Sequence, residues 1–150
     1  MPIARYRADE LVRFATALLD NAGLESDKSE VVAQILVEGD LLGHNTHGLN
    51  MLAPYLNDLE KGGMTRSGTP RVIGDFPAAV TWDGMRLPGT WLTVRAIDLA
   101  LERAKTCGTC TVVIRREQQL AEGVELYPGI LPALSPWSEK LGVALPTAVA

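Results

Sequence analysis

Apolar side chains recur at intervals of three and four residues through the first sixty positions of the chain. This spacing predicts three amphipathic helices: one that ends at Gly23, one that Ser26 caps and that ends near Leu42, and one over residues 49–60. Each has one apolar face that needs a partner, so the helices are expected to pack as a layer. The predicted buried faces contain Leu11, Phe14, Ala15, Leu18 and Ala22; Val32, Ile35, Leu36 and Gly39; and Leu49, Leu52, Leu56 and Leu59.

Beyond Pro70 the pattern becomes mixed. Residues 71–73 and 79–82 are predicted as short strands, residues 90–106 as a helix, and the β-branched run at 111–114 as a strand covered on both faces. The order strand, helix, strand indicates a crossover between parallel strands. The apolar positions predicted to be buried on this helix are Val94, Ile97, Leu101 and Ala104.

The segment that follows Arg115 combines short apolar groups with several prolines, which predicts short helices. These helices are expected to complete the helical layer, because its apolar faces need a partner. The predicted fold class is therefore α+β and mainly helical, with a helical layer from the N- and C-terminal segments and a small β/α piece between them. The three parts are residues 1–68, 69–116 and 117–150.

Composition narrows the functional classes. The chain has 150 residues, 47% of them hydrophobic, and a formal net charge of −4. This size can bury a core, and the charge provides no basic stripe for nucleic acid. No apolar run approaches the roughly 18 residues of a membrane-spanning helix, and the N-terminus lacks the apolar core of a secretory signal. We expect a cytoplasmic protein that binds neither nucleic acid nor membranes.

Both histidines of the chain lie in one polar stretch, where His44 and His47 are flanked by Gly43 and Gly48. Three interpretations stay open. Imidazole can give or take a proton near neutral pH. As a cation, it can instead cap the second helix, where the negative end of the helix dipole stabilises it. The third interpretation is that the histidines bind a metal together with Asp40, one turn upstream. No further His or Cys cluster completes a metal shell, so no metal site is expected.

Cys107 and Cys110 have the spacing of a redox motif, but they lie where a helix leaves toward a strand. The helix dipole there disfavours a thiolate, so both are expected to be unpaired and reduced. Neither a glycine-rich dinucleotide turn nor a lysine-bearing phosphate loop is found in the sequence. Trp82, Trp91 and Trp137 are predicted as core or interface anchors.

Two segments resemble the signature of the malate/L-lactate dehydrogenase family, which is distinct from the Rossmann-type dehydrogenases and includes ureidoglycolate and sulfolactate dehydrogenases. The segments are Gly43-His44-Asn45-Thr46-His47-Gly48-Leu49 and Leu52-Ala53-Pro54-Tyr55-Leu56. The hairpin around residues 79–84 and the strand at 112–115 occur in the family's order, so the resemblance covers residues 5–115.

The resemblance implies an oxidoreductase that transfers hydride between NAD or NADP and a 2-hydroxy or 2-keto acid, and that forms a homodimer. It implies that His47 is the general acid/base and that His44 and Thr46 belong to the substrate-binding shell. The chemistry agrees, because an imidazolium can protonate the alkoxide that hydride transfer to a keto carbon produces. Cofactor-binding residues are not identified.

Two features depart from the family pattern. Met51 stands where members often carry an arginine suited to a substrate carboxylate. After Arg115, the family's serine- and histidine-containing loop and its cofactor domain do not follow, and residues 117–145 resemble the family's C-terminal helices. We therefore expect an internally shortened chain that binds NAD(P)H weakly or not at all. The alternative is a non-catalytic remnant that still folds and self-associates.

Overall fold

The computed structural model describes residues 6–44 and 46–115, together with positions 132, 135, 136, 139, 140 and 143. Met1–Arg115 and Arg116–Ala150 are separate compact units, and the account below concerns the first. Its helices and strands confirm the mainly helical α+β class. They are α1 (Ala8–Asn21), α2 (Ser26–Leu41), a 3-10 helix (Leu49–Met51), α3 (Leu52–Glu60), β1 (Arg71–Phe76), β2 (Ala79–Asp83), α4 (Gly89–Cys107) and β3 (Thr111–Arg115).

In the second unit, the described positions from 132 to 140 are helical, as predicted for this part of the chain. The rest of segment 117–150, including Trp137, lies outside the described residues. Its predicted packing on the N-terminal part therefore stays a prediction.

The helical layer is built on α1 and α2. α1 ends where Gly23 adopts a φ of +88°, a left-handed conformation that a glycine takes without strain, and this confirms the predicted stop. Ala15 and Leu19 of α1 are fully buried against the core. Phe14, by contrast, is 59% exposed and Ile35 of α2 is also exposed, so their predicted burial is wrong. The contact face of α1 is centred on residues four apart, and Phe14 lies about 100° around the helix from Ala15.

The predicted cap at Ser26 is also wrong by one residue. Ser26 is the first residue of α2, and Glu25 occupies the cap position without a side-chain cap hydrogen bond. The Glu25 carboxylate instead accepts hydrogen bonds from Lys28 and from the backbone N–H of Gly68. A hydrogen bond from the charged Lys28 is stronger than one from a backbone N–H at the helix end. The Glu25 carboxylate therefore binds Lys28 and does not fold back onto the start of α2.

The third helix begins as predicted at Leu49, first as a 3-10 turn and then as α3. Pro54 is the third residue of α3, in the first turn, where no backbone N–H is needed. Leu52 and Leu59 are buried and Leu56 is partly buried, which confirms the predicted apolar face.

The β/α piece contains a three-stranded sheet in the order β1-β2-β3. β1 and β2 form an antiparallel hairpin, and β2 pairs in parallel with β3 across α4. This confirms the predicted crossover. The prediction that β3 is covered on both faces is wrong, because Val113 and Ile114 are exposed.

The buried face of α4 differs from the predicted one. Trp91 and Leu92 belong to the core of the helical layer, whereas Ala96 belongs to a second core beneath the sheet. Ile97 and Leu101 are exposed, Leu101 by 61%. A helix that changes partner along its length does not bury one continuous stripe, so its periodicity alone selects the wrong residues.

Trp91 joins α4 to the start of α2. Its indole Nε1–H donates to Asp27 Oδ2 at 3.0 Å, and the Lys28 ammonium lies 4.3 Å from the ring centroid. Lys28 is only 2% exposed and is neutralised by Glu25 and Asp27. Trp82 is buried in the second core, so both described tryptophans are core anchors as predicted.

Arg103 ties the end of α4 to the β1–β2 hairpin. Its guanidinium donates to Asp75 Oδ2 at 3.2 Å and to the carbonyl oxygen of Phe76 at 2.8 Å. Because Arg103 donates hydrogen bonds to it, the Asp75 carboxyl has a pKa below its ordinary value of 3.8.

Among the described residues, no helix is both long enough and apolar enough to cross a membrane.

We expect Trp91→Phe to destabilise the fold by about 1–3 kcal/mol, because it removes the hydrogen bond to Asp27 and weakens the contact with Lys28. Urea unfolding would measure this. Trp82→Phe is the matched control, since the described residues give Trp82 no carboxylate partner for its Nε1–H. Equal losses in the two variants would contradict the role assigned to the Asp27 bond.

A second prediction concerns pH. A carboxyl whose pKa is lowered in the folded state stabilises the fold above its unfolded pKa, and that stabilisation is lost as the pH falls through the folded pKa. Asp75→Asn should therefore lower the free energy of unfolding near neutral pH, and this effect should disappear as the pH falls through the lowered pKa of Asp75, below 3.8.

Urea unfolding of Asp75→Asn across this pH range, beside Asp98→Asn, would test the prediction. Asp98 meets Arg95 only at 3.9 Å, so its variant should follow the wild-type pH profile. Superimposable pH profiles for wild type and Asp75→Asn would show that the contact with Arg103 adds nothing to the free energy of unfolding.

Candidate functional site

The histidine segment begins where α2 is stopped. Gly43 has a φ of +79°, and its N–H donates to the Asp40 carbonyl at 3.0 Å. The His44 N–H then donates to the Gly39 carbonyl at 2.8 Å. These bonds satisfy carbonyl groups of the last helical turn and direct the chain back along α2.

The returning loop packs on α2 backbone against backbone. A Cβ added to Gly39 would lie 2.9 Å from the His47 carbonyl oxygen and 3.3 Å from Gly48 Cα. A Cβ added to Gly48 would overlap the Asp40 carboxylate. Position 39 therefore requires glycine, because the loop backbone leaves no space for a Cβ, and a Cβ at position 48 would displace the Asp40 carboxylate. Gly48 is buried, whereas the side chain of His47 before it is exposed.

Asp40 is the polar partner beneath the loop. Its Oδ2 accepts a hydrogen bond from the Leu49 N–H at 2.8 Å, across nine residues of sequence. This N–H opens the 3-10 helix and has no partner within it. From the sequence, Asp40 is a candidate only for metal binding, and its hydrogen bond to the Leu49 N–H is not predicted. The available signal was an aspartate one turn before the loop and a helix start that lacks its own capping side chain.

The loop presents His47 and Thr46 together on the surface. Thr46 Oγ1 lies 3.0 Å from His47 Nδ1, and both side chains are exposed. The His47 N–H donates to the His44 carbonyl at 2.8 Å, which holds the turn between the two histidines. Within the described part of the chain, His47 Nε2 has no hydrogen-bond partner, so this atom is available to a ligand.

Among the described residues, His44 and His47 are linked only by the backbone hydrogen bond of the turn between them. His44 is exposed, and no hydrogen bond within the described residues joins its ring to Thr46 or His47. Backbone N–H groups already occupy carbonyls of the last turn of α2, and the interpretation that an imidazolium favours the negative end of this helix stays a prediction. Residues 6–44 and 46–115 contain no group of three potential metal ligands, and Asp40 is engaged by Leu49.

Met51 lies in the 3-10 helix and packs partly buried against the helical core. It therefore contributes an apolar contact at the position where an arginine could have bound a carboxylate. Cys107 and Cys110 are free thiols at the exit of α4, as predicted, and the helix there is closed by Gly108 with a φ of +76°.

A cavity of about 540 Å³ lies between the start of α2, the segment at 68–72 and α4. Its lining carries two carboxylates, Glu25 and Asp27, and two cations, Lys28 and Arg95. Lys28 is paired with both carboxylates.

Comparisons with known proteins place this arrangement in a family. A family model described as malate/L-lactate dehydrogenase matches residues 6–123. Hydroxycarboxylate dehydrogenase B of Escherichia coli O157:H7 is 28% identical over 116 residues, 77% of this chain and 32% of the relative. Malate dehydrogenase of Pyrococcus horikoshii is 29% identical over 129 residues, 86% of this chain and 35% of the relative.

The solved structure of malate dehydrogenase from Pyrococcus horikoshii OT3 is similar with a TM-score of 0.73 at 30% identity, over 75% of this chain and 32% of that one. The chain spans about a third of the length of the relatives it matches. Because the family model covers most of its residues, and the shared fold includes the helices that carry the histidine loop, the chain belongs to the malate/L-lactate dehydrogenase family.

Proposed function

We propose that the histidine loop, residues 43–49, supplies the proton-transfer group of an NAD(P)-dependent oxidoreductase that acts on a 2-hydroxy or 2-keto acid. One observation carries the proposal: His47 is exposed on an anchored loop, with Nδ1 3.0 Å from the Thr46 hydroxyl and Nε2 open to solvent. An imidazole held at one nitrogen and open at the other is suited to general acid/base work.

The Thr46 hydroxyl can serve both directions of such a reaction. As the general acid, His47 is an imidazolium: its Nδ1–H donates to Thr46 Oγ1 and its Nε2–H goes to the substrate alkoxide, which leaves the neutral ring. As the general base, the neutral ring keeps its proton on Nδ1, still donated to Thr46 Oγ1, and the unprotonated Nε2 takes a proton from a substrate hydroxyl. Thr46 would thus hold the Nδ1–H form of the ring in both directions, and His44 would line the same substrate shell from the other side of the turn.

The relatives' names support the substrate class, since they are dehydrogenases of malate, sulfolactate and other hydroxycarboxylates. Positioning of reacting groups accounts for roughly 7–11 kcal/mol of a barrier, and acid/base catalysis for about 10²- to 10⁴-fold in rate. His47 without a bound nicotinamide would therefore supply a small share of catalysis.

We also propose that the protein is cytoplasmic, where its free thiols would remain reduced.

We expect NADH and NADPH to bind this chain weakly or not at all, as measured by fluorescence titration. Any NADH oxidation with pyruvate or oxaloacetate should fall by about 10²- to 10⁴-fold in His47→Ala. His44→Ala is the matched control, because its ring has no described contact with Thr46 or His47; it should raise KM more than it lowers kcat. Turnover that survives His47→Ala would remove that residue from the mechanism.

The alternative function is that of a non-catalytic unit that folds and self-associates. The observation that favours it is the exposed apolar surface of the β/α piece, where Ile97 and Leu101 lie one turn apart on α4 and Val113 and Ile114 lie on the edge strand β3. Exposed apolar groups of this kind favour contacts between copies, and a homodimer would cover them symmetrically.

For this alternative, sedimentation equilibrium at micromolar concentration should detect a dimer, and Leu101→Glu should shift it to monomer because the charge would be buried at the contact. Leu41→Glu, at an equally exposed position on α2, is the control and should leave the dimer intact. A wild-type chain that remains monomeric over this range would exclude self-association through the β/α piece.

A further inference from the structure

We propose, resting on the acid/base function of His47, that Asp40 is the positioning residue of the histidine loop. Its carboxylate accepts a hydrogen bond from the loop backbone at Leu49. Its carboxylate fixes the backbone on the C-terminal side of His47, so that the ring is held in one place relative to α2. This assigns to Asp40 a role in the reaction that is separate from the metal-binding role its spacing suggested.

The first argument is the hydrogen bond between Asp40 Oδ2 and the Leu49 N–H, at 2.8 Å. Leu49 is two residues after His47, and its side chain packs against the helical core. A bond from an ionised carboxylate is stronger than one between neutral groups, and this one is half-buried. The carboxylate therefore anchors the loop at the point where the chain enters the 3-10 helix.

The second argument is steric. The three atoms nearest to a Cβ at Gly48 all belong to the Asp40 carboxylate, so the carboxylate fills the space beside that glycine. At the residue before Asp40, Gly39 lets the His47 carbonyl approach α2 directly. His47 is thus held on one side by helix backbone and on the other by Gly48, which rests on Asp40.

The third argument is the rigidity of the support. Leu36 and Val37, one turn before Asp40, are buried in or beside the core of the helical layer. The last turn of α2 is also closed by the backbone hydrogen bonds of Gly43 and His44. A carboxylate on this turn has a fixed origin, which is what a group needs if it is to hold a catalytic side chain to within fractions of an ångström.

The test compares Asp40→Ala with Asp40→Asn, which keeps an oxygen acceptor for the Leu49 N–H. Glu38→Ala, an exposed carboxylate on the same helix with no side-chain contact to the loop, is the control. Two measurements are made on the full chain: the imidazole nitrogen resonances of His47 by NMR, and kcat and KM for NADH oxidation with oxaloacetate. Asp40→Ala should shift the His47 nitrogen resonances and lower kcat by about 10²-fold with KM little changed.

Asp40→Asn should restore most of kcat, and Glu38→Ala should match the wild type in both measurements. Gly48→Ala keeps Asp40 but forces it from its place, so it should reproduce the loss, and its effect should not add to that of Asp40→Ala. If Asp40→Ala fails to fold, Gly48→Ala tests the positioning role of Asp40 instead.

Unchanged His47 resonances in folded Asp40→Ala, or additive losses in the double variant, would overturn the positioning role. The two proposals fail separately. If the wild type shows no turnover, the proposed function fails, while the NMR comparison still reports whether Asp40 holds the ring of His47.

Discussion

Gly39, in the last turn of α2, lies against the carbonyl of His47, and this contact of backbone with backbone sets the geometry of the histidine loop. Side chains at Gly39 or Gly48 would separate the loop from the helix. Without them, the chain leaves α2 at Gly43, reverses and returns within seven residues. The exposed rings of the loop therefore stand on a rigid helix end, which is unusual for a surface turn and useful for chemistry.

The loop in turn depends on how α2 is held at its other end. There, Lys28 is buried between two carboxylates and the Trp91 ring, and Trp91 donates to Asp27. A buried cation is tolerated because its charge is paired and its alkyl stem packs on an aromatic face. This cluster fixes α2 to α4, so the helical layer and the β/α piece share one side-chain network within residues 6–115.

Membership of the malate/L-lactate dehydrogenase family gives the loop its chemical context, and the chain spans about a third of its relatives' length. The proposed proton transfer rests on the geometry of His47, which has a hydroxyl on one ring nitrogen and leaves the other nitrogen open. The cavity near Lys28 carries charges of both signs, since Glu25, Asp27, Lys28 and Arg95 all line it.

The sequence by itself determined the local structure: helix spacing, the glycine stops at Gly23 and Gly108, Pro54 in a first turn, the crossover, and the motif that contains Thr46 and His47. These depend on neighbours within one or two turns, which periodicity reports. Tertiary structure decided what distant residues share. Phe14, Ile97 and Leu101 are exposed because a helix buries only the side that meets a partner, and α4 changes partner along its length. Asp40 reaches Leu49, nine residues along the chain, only because the loop folds back, and helix and strand periodicity do not report such a contact.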